Sequence, residues 1–175
     1  MIEHKILFTG TMGAGKTTAI QAVSEIPPVT TDVLNSDLTL GKEKTTVALD
    51  YGEVSLGRGE RLKLYGTPGQ ERFSFMWKIL AEGALGLVIL VDHARPDPLA
   101  DLSIYINNFK HLIKKTGCVV GISKMDGSKA PPLESFIDVL QQSDLVCPVI
   151  PVDVREKQQV LWVLDLLLTQ LEARL

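Results

Sequence analysis

Gly10-Thr11-Met12-Gly13-Ala14-Gly15-Lys16-Thr17 constrains this chain more than any other stretch. It follows the apolar run Lys5-Ile6-Leu7-Phe8-Thr9, read as a strand, and leads into Lys16 to Ile26, a helical pattern stopped by Pro27-Pro28. A strand, a tight turn and a helix in that order gather backbone N–H groups around one point at a helix N-terminus. Fixed dipoles there meet closely spaced negative charge such as a triphosphate. The spacing G-x-x-x-x-G-K-[ST] makes Gly13, Ala14, Gly15, Lys16, Thr17 and Thr18 the candidate phosphate-binding residues. Lys16 is expected to reach the β- and γ-phosphates and the Thr17 hydroxyl to bind Mg²⁺.

Beyond the loop, apolar runs alternate with helical patterns to the end of the chain, the signature of a mostly parallel α/β sheet covered on both faces. The hydrophobic fraction of 45% over 175 residues is ordinary for one globular domain, so 1–175 is read as a single unit. Residues 46–54 and 61–65 flank Gly57-Arg58-Gly59-Glu60 and predict an antiparallel hairpin. Residues 86–91, 118–122 and 146–151 read as further strands, the first two apolar enough to be buried on both sides. Helices are expected near 73–82, 99–115, 133–142 and 157–174, with Trp77 and Trp162 as packing residues on them. The polar stretch 29–44 is too long for a simple connection and reads as a functional loop.

A phosphate loop serves kinases, ATPases and GTPases alike, so the class depends on a second motif. Gly66-Thr67-Pro68-Gly69-Gln70-Glu71-Arg72-Phe73 directly follows a strand. There the Gly69 amide can sense the γ-phosphate, and Gln70 can orient an attacking water while the segment orders around a triphosphate. After a later buried strand comes Ser123-Lys124-Met125-Asp126.

With these motifs in place the chain resembles the Ras-like small GTPases over nearly its whole length. It is most similar to their bacterial branch, the gliding-motility type and its relatives that work with roadblock-fold partners. The resemblance implies a P-loop, three-layer α/β/α fold with a six-stranded, mostly parallel sheet containing one antiparallel strand. It also implies a GTP/GDP switch with slow hydrolysis, Lys16 and Gln70 as the catalytic pair, and Mg²⁺ as cofactor. Ser123, Lys124 and Asp126 stand where the family has Asn-Lys-x-Asp. Asp126 would accept from guanine N1 and N2, and the Lys124 stem would cover the base. Thr46, with Thr45 as its rival, resembles the switch-one threonine that completes the Mg²⁺ shell. Pro151-Val152-Asp153-Val154 matches the base-contacting loop by position alone, where the Asp153 amide would touch the guanine carbonyl. Roadblock-fold regulators and protein effectors would read the loops 29–46 and 66–77.

Two departures stand out. Gly66 occupies the place of the aspartate that holds Mg²⁺ through water, which leaves the metal end short of a carboxylate unless another acid substitutes. Met12 stands at a position that is glycine in Ras itself. Asp92, which ends the apolar run 87–91, resembles an ATPase metal-binding acid. It supports a rival reading as an ATPase or small-molecule kinase, and the missing acid at Gly66 supports another, a non-hydrolysing GTP-bound scaffold. Arg58, Arg61 and Arg72 are candidate arginines to which the residues assign no role.

A net charge of -3 argues against nucleic-acid or anionic-membrane partners held by bulk electrostatics. Cys118 and Cys147 sit within apolar runs and read as two buried thiols in a reducing compartment. The N-terminus shows neither a signal-peptide core nor a myristoylation glycine, and the last residues carry no prenylation cysteine. These features point to a cytoplasmic protein without its own membrane anchor.

Overall fold

The computed structural model describes residues 1–27, 29–34, 46–126 and 131–174, with the backbone alone at 30–34 and 46–48. In chain order the elements are β1 (Ile2–Gly10), α1 (Lys16–Val23), β2 (Val29–Leu34), β3 (Thr46–Gly57), β4 (Glu60–Gly66), a 3-10 turn (Glu71–Phe73) and α2 (Ser74–Ala81). There follow β5 (Ala84–Asp92), α3 (Pro98–Lys115), β6 (Cys118–Ser123), α4 (Leu133–Gln142), β7 (Val149–Pro151) and α5 (Lys157–Glu172).

The strands form one sheet in the order β2-β3-β4-β1-β5-β6-β7. β1 runs parallel to β4 and β5, β5 to β6 and β6 to β7, whereas β3 is antiparallel to both β2 and β4. The expected α/β fold with one antiparallel strand is therefore present. The strand count differs, seven among the described residues instead of six, because Val29–Leu34 pairs with 46–51 as an edge strand. That segment was expected to be loop. Its threonines and aspartate look polar, but Val-Thr-Thr-Asp-Val-Leu is rich in β-branched residues that suit a pleated surface. Residues 35–45, the rest of the expected loop, lie outside the described residues.

β5 supplies both faces of the core, since side chains alternate across a strand. Val88 and Leu90 join Ile6, Phe8, Ile20 and Leu164 under α1 and α5, while Leu87, Ile89 and Val91 join Leu102, Ile106 and Phe136 under α3 and α4. This two-sided burial explains why β5 and β6 read as continuous apolar runs. The β3–β4 turn places Arg58 and Gly59 at φ of 49° and 80°, the two positive values that a tight hairpin with right-handed twist requires.

Trp77 is 1% exposed and stacks against Tyr105 and Phe109, as a packing residue should. Trp162 is 57% exposed, so the expectation of a packed residue is corrected there. Helical spacing put it on α5, but not on the buried stripe of Val160, Val163, Leu164 and Leu167. Cys118 is buried, and Cys147 is half-buried instead of fully so; both thiols are free. No described helix is long and apolar enough to cross a membrane.

Candidate functional site

At the C-terminal ends of β1, β4, β5 and β6 the three sequence motifs converge. The phosphate loop closes onto α1 through Gly15, which caps the helix at φ 103°, a conformation costly for any residue with a Cβ. A Cβ there would also stand 2.7 Å from the Val154 side chain, so the loop after β7 packs directly on the phosphate loop. Lys16 lies 7% exposed, its Nζ donating to the carbonyls of Gly10 at 2.6 Å and Thr11 at 2.8 Å. Burial pushes this ammonium down to about 8, opposed by the carboxylate of Asp50.

Asp50 belongs to none of the sequence motifs. It faces Gly66 across the β3–β4 ladder, and its Oδ2 accepts a hydrogen bond of 2.5 Å from the Thr17 hydroxyl. A Cβ on Gly66 would stand 3.0 Å from the Asp50 Cβ and 3.2 Å from Oδ2. The space vacated at Gly66 is thus taken by a carboxylate from the neighbouring strand. A hydroxyl and a carboxylate together form a donor set that suits a hard cation binding phosphate, as Mg²⁺ does. Among the described residues no cluster of three or more His, Cys, Asp or Glu could cage a metal, so a cation here would share its shell with phosphate oxygens and water.

Thr46, by contrast, opens β3 with its backbone paired to Leu34. It precedes Asp50 by about 13 Å of extended strand, so this arrangement does not bring it to Thr17. Thr45 lies outside the described residues. Thr18 is exposed and lines the cavity described below.

The 66–73 segment lies over the phosphate loop and is held from beneath. Thr67 Oγ1 is 2.7 Å from Thr9 Oγ1, Trp77 Nε1 donates to the Pro68 carbonyl at 2.8 Å, and the Tyr105 hydroxyl lies 3.5 Å from the Gly69 carbonyl. Gly69 is in tight contact, since a Cβ would meet Met12 N at 2.4 Å and Lys16 Nζ at 2.9 Å. Gln70 is engaged at both ends of its amide. Arg72 Nε donates to Oε1 at 2.6 Å, and Nε2 donates to the Met12 sulfur at 3.6 Å. Of the three candidate arginines, Arg72 alone is at the site. Arg61 pairs with Glu53, and Arg58 sits at the hairpin tip by the N-terminal end of β1.

On the far side of the loop lies a cavity of about 760 Å³, lined by Gly13, Gly15, Lys124, Asp126, Asp153 and Gln159 among others. Lys124 adopts φ 57° and ties the wall together, donating to the Gly13 carbonyl at 2.9 Å and to Asp92 Oδ2 at 2.8 Å. Asp92 also accepts from the Ala94 amide at 2.9 Å. Its two carboxylate oxygens thus meet Lys124 and the Ala94 amide, at the end of β5 across β1 from β3, the strand that carries Asp50. Ser123 lines the cavity but is 2% exposed, and its hydroxyl lies 2.9 Å from the Ala14 carbonyl and 3.3 Å from that of Val91. It braces the phosphate loop. The Asp153 amide, expected to face a base, donates to Gln159 Oε1 at 2.7 Å. Its carboxyl is held down to about 2 by hydrogen bonds from Arg155.

Three proteins give partial matches. An uncharacterized protein of Methanocaldococcus jannaschii is 26% identical over 53% of this chain and 53% of its own length. The GTP-binding protein ypt4 of Schizosaccharomyces pombe is 29% identical over 49% of this chain and 38% of its own. Intraflagellar transport protein 22 of Chlamydomonas reinhardtii is 29% identical over 62% and 55%. The chain spans about half the length of these curated relatives or less, and the match to ypt4 supports a distant relationship to a GTP-binding protein. A family model described as conserved hypothetical ATP binding protein matches residues 28–166. That span begins after the phosphate loop of residues 10–17. The match covers most of the chain, which belongs to this family of conserved hypothetical ATP binding proteins.

Proposed function

We propose that the protein is a GTP-binding switch with slow intrinsic hydrolysis. One observation carries this reading: Lys124 links the phosphate loop, through the Gly13 carbonyl, to the cavity that Asp126 lines. A nucleotide whose phosphates lie on residues 13–18 would then present its base to Lys124 and Asp126. Asp126 accepts from guanine N1 and N2, donors that adenine lacks. Lys16 and the loop amides stabilise phosphate charge, and the Gly69 amide faces the γ-phosphate. Gln70 positions water once it leaves Arg72 and Met12. Thr17 and Asp50 would hold Mg²⁺, which neutralises phosphate charge when bound. Their pairing supports a hydrolytic switch over a non-hydrolysing scaffold.

Without an arginine supplied by a partner such sites turn over at about 10⁻⁴ to 10⁻² per second, so a protein partner would set the lifetime of the active state. Roadblock-fold regulators of the gliding-motility branch, effectors reading 29–46 and 66–77, and a cytoplasmic location belong to the same proposal. Competitive titration of GTP and ATP against the purified chain tests it. GTP preference is expected. ATP preference would instead favour the second reading, an ATP-binding protein, to which the family's description points.

A further inference from the structure

We propose that the side-chain amide of Gln159 selects the purine, donating to the six-position carbonyl of guanine and rejecting the six-amino group of adenine. The inference rests on the GTP reading above and names the group that completes its specificity. It starts from the Asp153 backbone N–H. That group can only donate, so the Gln159 atom 2.7 Å away must be the carbonyl oxygen, which settles the amide orientation. The other arm of the side chain is an NH₂ group with donors only. Gln159 lines the same cavity as Lys124 and Asp126.

The support beneath Gln159 is fixed at several points. Its own N–H donates to the Glu156 carbonyl at 3.0 Å, opening α5, and Val152 N donates to the Ile122 carbonyl at 2.9 Å, tying the loop to β6. Arg155 holds the Asp153 carboxylate through its backbone N–H at 3.0 Å and its guanidinium at 2.9 and 2.7 Å. A preorganised donor costs little ordering when a ligand arrives. Because Gln159 already uses the Asp153 amide, reading the base passes from the backbone to the side chain.

The chemistry then discriminates. With Asp126 accepting from N1 and N2, the neighbouring six-substituent meets the Gln159 NH₂. A carbonyl there accepts; an amine opposes donor to donor and leaves both unpaired, which sites of this kind reject strongly. Ser123 adds nothing to this choice, since its hydroxyl is committed to the phosphate loop.

The test compares affinities of the full chain for GTP, inosine triphosphate and ATP with those of Gln159→Glu. This variant keeps an acceptor for the Asp153 amide and replaces the NH₂ donor with an acceptor. GTP affinity should fall about tenfold, inosine triphosphate by the same factor because it keeps the six-position carbonyl, and ATP should hold or gain. Gln159→Met removes the donor without adding charge and carries the same test if the Glu variant fails to fold; it should lose about tenfold for GTP and leave ATP unchanged. A GTP-to-ATP ratio equal to that of the parent in the folded variant overturns the proposal. A parent chain that prefers ATP overturns instead the reading on which it rests.

Discussion

Replacing Asp50 with Asn isolates the carboxylate that β3 brings to Thr17. The Thr17 hydroxyl donates to Asp50 Oδ2 at 2.5 Å, and a hydrogen bond to a charged acceptor contributes about 1.5–3 kcal/mol. At 1.4 kcal/mol per tenfold this is about a 10- to 100-fold effect, the range seen when a group that orients a metal ligand is lost. The Mg²⁺ concentration that half-slows release of a fluorescent GDP analogue should therefore rise about 10- to 100-fold in Asp50→Asn. In chelator the variant should hold nucleotide as well as the parent or better, because a negative charge has left the neighbourhood of Lys16 and the phosphates. A second variant guards against a trivial loss of fold. Since a Cβ at Gly66 crowds the Asp50 Cβ at 3.0 Å, the exchange Asp50→Gly with Gly66→Asp moves the acid to the neighbouring strand, and it should recover most of the Mg²⁺ dependence. A half-effect concentration within twofold of the parent in Asp50→Asn would refute the assignment.

The remaining expectations concern the other groups in turn. Burial holds free Lys16 down to about 8, while a bound triphosphate favours its charged form; affinity is therefore full below pH 8 and falls as pH rises above it. Calorimetry at pH 8 in buffers of different ionisation enthalpy should show uptake of about half a proton on GTP binding. Gln70→Ala should slow partner-stimulated turnover with little change in affinity, and Arg72→Ala, which releases Gln70 Oε1, should raise the unstimulated single-turnover rate a few-fold. Asp126→Asn should shift preference from GTP toward xanthosine triphosphate, read by direct binding titration. Ser123→Ala removes a buried donor from the Ala14 carbonyl and should cost about 1 kcal/mol, a fall in melting temperature of about 2–4 °C by calorimetry.

The sheet was legible because β5 and β6 are buried on both faces and the hairpin turn carries its own glycines; β2 was not, since its polar residues concealed a β-branched edge strand. The phosphate loop, 66–70 and 123–126 were legible for a related reason, as each is a contiguous segment whose local geometry creates its chemistry. Asp50 has no such local signature. Its role depends on which residue of β3 faces Gly66. Counting back from the Gly57 and Glu60 pair at the turn puts Tyr51 opposite Gly66, but a register irregularity between Ser55 and Gly57 moves the pairing by one residue, to Asp50. A one-residue slip also exchanges the faces of a strand, so without that bulge a different side chain would have faced Thr17.

The base end of the site follows the same logic with a different outcome. Asp153 was located by its position after β7, but what it offers a base depends on Gln159, six residues on, in the first turn of α5. In sequence Gln159 is one polar residue at the start of an amphipathic helix, where polar residues are common and carry no signal. Its carbonyl becomes informative only when the fold sets it 2.7 Å from a backbone donor, and that contact then fixes which atom remains for a ligand. Both missed groups act through a hydrogen-bond partner distant in sequence, Thr17 for Asp50 and Asp153 for Gln159. On the proposed reading, cation and base selectivity would be set by register and helix phase, and phosphate binding by the contiguous loop.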